Sequence, residues 1–191
     1  PPRAPARSAR RQRRRRVAAG ADSRAATAHP SLSQEWPKSC GHVGPKRVVP
    51  RDEAVARVRA ACDARDAIAA ELGAAGAGGP SDAICVVART DARQAEGIDE
   101  ALARVRAFAE AGADVLFVDA LESEAEMMAL CEQAPHVPKM ANNLEGGGKT
   151  PLLPRSRLAE LGFAVVAYPL SVMGGAMAGM ELALDAVEAD N

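Results

Sequence analysis

Residues 36–45 read Trp-Pro-Lys-Ser-Cys-Gly-His-Val-Gly-Pro and place a thiol, an amine and an imidazole within five positions. Cys40 is the candidate reacting group, Lys38 and His42 are flanking cations or donors, and Gly41 lets the backbone turn. A thiol titrates near neutrality once positive groups lie beside it. The spacing predicts acid–base chemistry on a small anion, although a cysteine beside a glycine at a strand end is an equally open interpretation of these residues alone.

A second set of polar residues follows the apolar segments further along the chain. Both open α/β sheets and barrels bind ligands at the edge where parallel strands end. Arg89 is the candidate anion ligand of this set, and its alternative role is an ion pair with Asp91 or Asp119. The residues in question are Arg89, Thr90, Asp91, Asp119, Asn142, Glu145, Tyr168 and Ser171.

The elements that must position these residues alternate between strand and helix. Continuous apolar runs, rather than alternating ones, predict strands buried on both faces, as in a parallel sheet covered by helices. Repeated βα units are compatible with a doubly wound sheet or with a (β/α)₈ barrel. The pattern predicts strands at 84–88, 114–119, 137–141 and 163–168, and helices at 51–72, 99–111 (with Asp99 as its cap), 123–133, 154–161 and 172–189.

The composition is that of one globular domain. The chain has 191 residues, of which 48% are hydrophobic and 26% charged, and no run reaches the roughly 18 apolar residues of a membrane span. Four scattered cysteines without a Cys-x-x-Cys pair argue against a zinc ribbon or a disulfide scaffold and favour a reducing compartment. We expect the following residues to pack in the interior: Cys62, Cys85, Cys131, Met173, Met177 and Met180.

Residues 1–33 form an Arg/Ala-rich head with nine arginines and a single acidic residue, Asp22. Such a segment buries too little apolar surface to offset the entropy of ordering, so we expect it to be disordered. It resembles an organelle transit peptide, and two further interpretations stay open: an artefactual extension of a real domain, or a nucleic-acid arm, which would bind with a steep salt dependence.

The segment Gly148-Lys149-Thr150 superficially matches a phosphate-binding P-loop. That pattern requires a glycine at position 143 and a helix after the threonine. The sequence has Asn143 and Pro151 instead. We therefore expect an anion-binding or structural loop rather than a nucleotide site.

Five ordered motifs together resemble one family over about residues 34–186. The resemblance is to the isocitrate lyase/phosphoenolpyruvate mutase superfamily, and most of all to its plant-type carboxyvinyl-carboxyphosphonate phosphorylmutase-like and petal death protein-like members. The motifs are Pro37–His42, Val87–Arg93, Glu110–Phe117, Pro138–Asn142 with Leu144–Pro151, and Val166–Ser171.

The resemblance implies that residues 34–191 form the C-terminal part of a (β/α)₈ TIM-type barrel, namely the end of strand four and units five to eight. The family's first three strands, and the Asp-rich segment that binds Mg²⁺, have no counterpart in the sequence. Leu32 and Ser33 stand where the family usually has an acidic pair. We therefore expect no metal ligand in this chain, although the family as a whole uses Mg²⁺.

The function implied by the resemblance is Mg²⁺-dependent cleavage of a C–C bond in a small 2-oxo or 2-hydroxy dicarboxylic acid, through an enolate. Cys40 would be the acid/base, with Lys38 and His42 as catalytic neighbours. The substrate-binding residues would be Gly41, Arg89, Asn142, Glu145 and Thr150. Two alternatives remain: a catalytically incomplete half-barrel, or pseudoenzyme, that docks on full-length paralogues, and a P–C bond mutase.

The resemblance also implies partners and a location. Besides the oxo-acid substrate, the family predicts a homotetramer whose subunits exchange a C-terminal helix. We expect neither a membrane partner nor nucleic-acid binding. The cytoplasm, the chloroplast and the mitochondrion are all compatible with the sequence.

Overall fold

The computed structural model describes residues 34–35, 46–76 and 84–189. The predictions for the head, residues 1–33, lie outside these ranges.

Four short parallel strands form one sheet in the order β1-β2-β3-β4. Arg89 is in register with Phe117, and Met140 pairs with Phe117 on one side and Val165 on the other. The predicted parallel α/β arrangement is confirmed. The strands are β1, Val87–Thr90; β2, Val115–Val118; β3, Lys139–Asn142; and β4, Val165–Ala167.

Helices connect the strands, as parallel pairing requires. The side chain of Ser123 caps α4 by accepting a hydrogen bond from the Glu126 N–H at 3.2 Å, and Gly162 ends α5 in the left-handed conformation. The helices are α1, Arg51–Ala74; α2, Ala92–Glu96; α3, Ile98–Glu110; α4, Glu124–Glu132; α5, Arg155–Leu161; and α6, Ser171–Ala189.

One local prediction at the start of α3 was wrong, and one short helix was missed. Asp99 is not the cap, because the helix begins at Ile98 with Gly97 as its N-cap, and Asp99 lies in the first turn. There its carboxylate still interacts favourably with the helix dipole. The short helix α2 was not predicted, since five residues are too few to show a helical period.

The first strand begins three residues later than predicted, at Val87 rather than Ile84. Arg89 and Thr90 are therefore the last residues of the strand instead of the loop after it. The expectation of burial on both faces holds only for β2, whose four residues are all buried. Within the described residues β1 and β4 are the outer strands of the sheet, so Val87 and Val165 stay exposed.

The core lies between the sheet and helices α1, α3, α4 and α5. Its largest fully buried apolar side chains include Phe108, Leu116, Met127, Leu130 and Leu158. Aliphatic side chains supply most of this core, because the chain has only three phenylalanines and one tryptophan.

Some of the residues predicted to pack inside are exposed. Cys62 is buried and Cys131 half-buried, but Cys85 is exposed because it precedes the start of β1. All three are free thiols. None of the residues of α6 is buried among the described part of the chain, so the prediction of interior packing was wrong for Met173, Met177 and Met180.

A buried lysine closes the turn before β3. The Lys139 ammonium donates hydrogen bonds to the carbonyl oxygens of Ala134 at 2.6 Å and Val137 at 2.7 Å. Burial lowers the pKa of Lys139. The amine thereby satisfies carbonyl groups just beyond the end of α4, which is otherwise uncapped by a basic residue.

None of the helices in the described ranges combines the length and apolarity that crossing a lipid bilayer requires.

We expect Gly162→Ala to lower the free energy of unfolding by about 1–2 kcal/mol, because alanine is strained in the left-handed region. Gly162 has φ of 103°, and an added Cβ would lie 3.3 Å from the Cβ of Cys131. Urea denaturation at pH 7 measures the change. Gly174→Ala in α6 is the control: its Cβ meets nothing within 4 Å, so stability should stay constant or rise by up to about 1 kcal/mol. Equal losses in both variants would contradict the assignment.

Candidate functional site

Charged and polar side chains from three neighbouring strands meet at the carboxyl edge of the sheet. We call Arg89, Asp91, Asp119 and Asn142 the strand-end cluster. Arg89 lies in β1 and Asn142 ends β3, while Asp91 and Asp119 directly follow β1 and β2. The parallel order of the strands brings these residues together although they span more than 50 positions in the sequence.

The Arg89 guanidinium binds both carboxylates of this cluster. Its Nε and Nη2 donate to Asp91 at 3.2 and 2.7 Å, and Nη2 also donates to Asp119. The guanidinium carbon lies 5.4 Å from the centre of the Phe117 ring, a cation–π contact. The sequence left two roles open for Arg89, namely an anion ligand or a partner in an ion pair. In the described residues Arg89 forms ion pairs with both Asp91 and Asp119.

These ion pairs are largely buried. The side chains of Asp91 and Asp119 are each 1% exposed, whereas that of Arg89 is 22% exposed. Because two buried carboxylates share one guanidinium, part of the Arg89 charge is neutralised within the cluster.

Asn142 extends the cluster to the third strand. Its Nδ2 donates to Asp119 Oδ1 over 3.4 Å, a long hydrogen bond. Asn142 is therefore linked to Arg89 through Asp119, which binds both side chains.

The chain turns sharply at Ala120, directly after Asp119. Ala120 is a buried non-glycine residue with φ of 58°, and such conformations concentrate at functional sites.

Glu145 contacts the start of α6. Its carboxylate accepts hydrogen bonds from the Leu170 N–H at 3.1 Å and from the Ser171 hydroxyl. The Ser171 hydrogen bond, together with backbone N–H groups, lowers the pKa of Glu145. In the described residues this predicted substrate ligand ties the loop after β3 to the loop after β4.

The glycine-rich loop that follows Glu145 ends in a buried Thr150. Gly146 and Gly147 have φ of 87° and 122°, conformations that glycine adopts readily. Lys149 lies 3.9 Å from Glu122, a loose ion pair. Because α5 begins only at Arg155, no helix follows Thr150 directly, and the P-loop interpretation is excluded.

The remaining predicted site residues, Lys38, Cys40, Gly41 and His42, lie outside the described residues.

Arg93 forms a second network of ion pairs at the same edge. The sequence alone assigned no function to this arginine. It donates to Glu126 through Nε at 3.1 Å and Nη2 at 2.7 Å, and its Nη1 lies 2.7 Å from Glu122. The network joins helix α2, after β1, to the start of α4, after β2. The motif Val87–Arg93 contains this arginine, but its partners lie about thirty residues away, so spacing could not reveal them.

The described residues contain no group of three or more His, Cys, Asp or Glu side chains placed to hold a metal ion. The carboxylates of Asp91 and Asp119 are oxygen ligands of the kind that Mg²⁺ prefers, and Arg89 binds both of them.

Comparison with known proteins identifies the family. The sequence profile of the family described as phosphoenolpyruvate phosphomutase matches residues 42–188. The chain belongs to this family. 2,3-Dimethylmalate lyase of Eubacterium barkeri is 39% identical over 136 residues, which are 71% of this chain and 42% of that protein. The petal death protein of Dianthus caryophyllus is 38% identical over 140 residues, covering 73% and 39% respectively.

Solved structures agree with the predicted fold. A crystal structure of 2,3-dimethylmalate lyase, a PEP mutase/isocitrate lyase superfamily member, gives a TM-score of 0.69 at 33% identity over 83% of this chain and 48% of that one. Oxaloacetate acetylhydrolase gives a TM-score of 0.69 at 28% identity over 82% and 48%. The predicted superfamily and α/β-barrel fold class are confirmed, and the chain spans about half the length of these relatives.

We expect Arg89→Met to lower the free energy of unfolding of this family member by about 3 kcal/mol, because it removes the guanidinium that two buried carboxylates share. The double variant Arg89→Met/Asp119→Asn should recover part of that loss. Urea denaturation at pH 7 measures both.

Arg106→Met is the control for this series, since Arg106 is exposed and donates only to Gln133 among the described contacts. Its effect should stay within about 0.5 kcal/mol. An Arg89→Met variant as stable as Arg106→Met would show that the ion pairs contribute nothing.

Proposed function

We propose that this chain carries the substrate-binding half of a lyase active site that cleaves a C–C bond in a small 2-oxo or 2-hydroxy dicarboxylic acid. The observation that carries the proposal is the strand-end cluster: a partly exposed guanidinium held by buried carboxylates at the edge where barrels bind ligands. Membership of the phosphoenolpyruvate phosphomutase family supports it.

The proposed reaction balances without a redox partner. A base removes the proton of the substrate's 2-hydroxyl group, the oxygen becomes a carbonyl, and the bond from C2 to C3 breaks. The electron pair passes to C3 and is delocalised into the adjacent carboxylate as an enolate. The Cys40 thiol then donates its proton to that carbon as a positioned acid, with Lys38 and His42 stabilising the thiolate that remains.

Arg89 would bind a substrate carboxylate with its planar fork. Its pairs with Asp91 and Asp119 fix the plane of the guanidinium before substrate arrives, which reduces the entropy lost on binding. Asn142 and Thr150 would line the rest of the anion site, and Glu145 would hold the glycine-rich loop against the start of α6.

Relatives indicate which acids to test. They include a 2,3-dimethylmalate lyase and a probable 2-methylisocitrate lyase of Corynebacterium glutamicum, 40% identical over 148 residues, and an oxaloacetate acetylhydrolase. P–C mutase chemistry is the second possibility within the family, supported by the carboxyvinyl-carboxyphosphonate phosphorylmutase of Arabidopsis thaliana, 37% identical over 143 residues. A tetrameric assembly and an organelle or cytoplasmic location stay predictions.

We expect the protein to bind oxalate, a mimic of the small 2-oxo acid product, and to release a 2-oxo acid from one of these substrates in the presence of Mg²⁺. Cys40→Ser should lower kcat at least about 100-fold while leaving oxalate binding intact, because it removes only the acid. Arg89→Lys should weaken oxalate binding about tenfold, because the bidentate contact is lost. Coupled spectrophotometric assays and calorimetry measure the two effects.

Cys85→Ser is the matched control, since Cys85 is an exposed thiol outside the strand-end cluster. It should change neither activity nor oxalate binding. Oxalate binding that does not respond to Arg89→Lys would contradict the proposed site.

A second candidate function has a different basis. Val87 and Val165 are exposed on the two outer strands of the described sheet, and α6 presents Val172, Leu182 and Leu184 to solvent. Outer strands tend to pair with further strands. These features favour a catalytically incomplete half-barrel, or pseudoenzyme, that docks on a full-length paralogue.

Binding of Mg²⁺ distinguishes the two candidate functions, the lyase and the incomplete half-barrel. For the half-barrel candidate, millimolar Mg²⁺ alone should leave the melting temperature unchanged, because Arg89 occupies the carboxylates of Asp91 and Asp119. Differential scanning fluorimetry measures this, with EDTA as the reference. A saturable stabilisation that Asp119→Asn abolishes would contradict this expectation and favour a complete metal site.

A further inference from the structure

A shallow cavity of about 670 Å³, widely open to solvent, lies in the helical layer outside the strand-end cluster. It is formed where the first two turns of α1 face the end of α2 and the first half of α3. None of its lining residues belongs to the strand-end cluster. Its charged lining residues are Arg51, Asp52, Arg59, Glu96, Glu100 and Arg104.

Arg104 is the unusual member of this set, because it is only 1% exposed. Its Nε donates to Glu100 at 2.8 Å and its Nη2 to Glu96 at 3.3 Å. Its Nη1 is buried without a hydrogen-bond partner, and no other side-chain nitrogen or oxygen in the described part of the chain is in this position. A buried cationic donor without an acceptor is costly, so an acceptor is expected there.

The start of α1 contributes a second set of donors, with Asp52 and Glu53 in its first turn offsetting part of the positive potential. The helix has 24 residues, and its N-cap, Pro50, offers no side-chain cap. The first N–H groups of such a helix point toward the space before it and favour anions. Pro50, Arg51 and Asp52 all line the cavity.

The carboxylates of the cavity are mostly engaged. Glu100 accepts from Arg51 Nε at 3.0 Å as well as from Arg104, and the hydrogen bond from Arg51 lowers the pKa of Glu100. Glu96 holds Arg104 through one 3.3 Å bond, and its side chain is 45% exposed. Glu96 is therefore the more weakly bound of the two carboxylates that contact Arg104.

We propose that this cavity binds a small oxyanion, the carboxylate or phosphate group of a metabolite, with Arg104, Arg59 and the start of α1 as donors. The equal numbers of arginines and carboxylates in the lining restrict the ligand to one or two charges and disfavour polyphosphates. The site is independent of the proposed lyase function.

Calorimetric titration with inorganic phosphate, and separately with acetate, at low salt tests the proposal. We expect saturable binding, with the tighter of the two anions identifying the natural group. Arg104→Lys should weaken binding about tenfold and Arg59→Gln about threefold, through loss of charge-assisted hydrogen bonds. Glu96→Gln should tighten binding about threefold, because it removes a competing carboxylate, a gain that a misfolded variant cannot produce.

Arg57→Gln is the matched control on the same helix. Arg57 pairs with Glu53 and does not line the cavity, so its loss should leave binding unchanged. Absence of saturable binding of both anions would overturn the proposal and leave water as the partner of Arg104. An anion affinity that is unchanged by both Glu96→Gln and Arg59→Gln would overturn the proposal as well, because the anion would then bind elsewhere.

Discussion

The pairing of Arg89 with two buried carboxylates is the interaction on which the rest of this edge of the molecule depends. Asp91 follows β1 and Asp119 follows β2, so one guanidinium joins the ends of two neighbouring strands. Strands of three or four residues provide few ladder hydrogen bonds. The ion pairs therefore add order at the end of the sheet where the backbone hydrogen bonding stops.

In the proposed function, the same ion pairs serve both the stability of the sheet edge and the binding of substrate. A guanidinium that is fixed by internal carboxylates is preorganised for a planar anion, but part of its charge is already neutralised. Arg93 also joins two segments by ion pairs, since its contacts with Glu122 and Glu126 hold helix α2 against helix α4. Both networks act on the loops after the strands, which is where members of barrel families vary their chemistry.

Much of the architecture could be predicted from the sequence, and the errors have physical causes. Contiguous apolar runs correctly predicted the parallel sheet, and Gly162 correctly predicted the end of α5. The start of β1 was placed at Ile84 because the apolar run begins there, yet the strand begins where its partner strand does, at Val87 paired with Val115. Hydrophobicity alone does not encode that register.

The position of the cluster and one of its interactions could be predicted from the sequence. Arg89 and Asn142 lie at the expected edge, and the ion pairs of Arg89 with Asp91 and Asp119 are the alternative role that the sequence left open for this arginine. The burial of Arg104 could not be predicted from the sequence, because an arginine inside a helical pattern normally indicates the solvent-exposed face of the helix. Only tertiary packing could reveal it.

The exposure of α6 has a consequence for the dynamics of the loops around the strand ends. With no buried residue among those described, this helix belongs to the least stable part of the fold, and such elements open locally long before the molecule unfolds. Glu145 is hydrogen-bonded to Leu170 and Ser171 at its first turn. Each fraying of that turn therefore releases the carboxylate that holds the glycine-rich loop, so amide exchange in the two segments should share a common opening event.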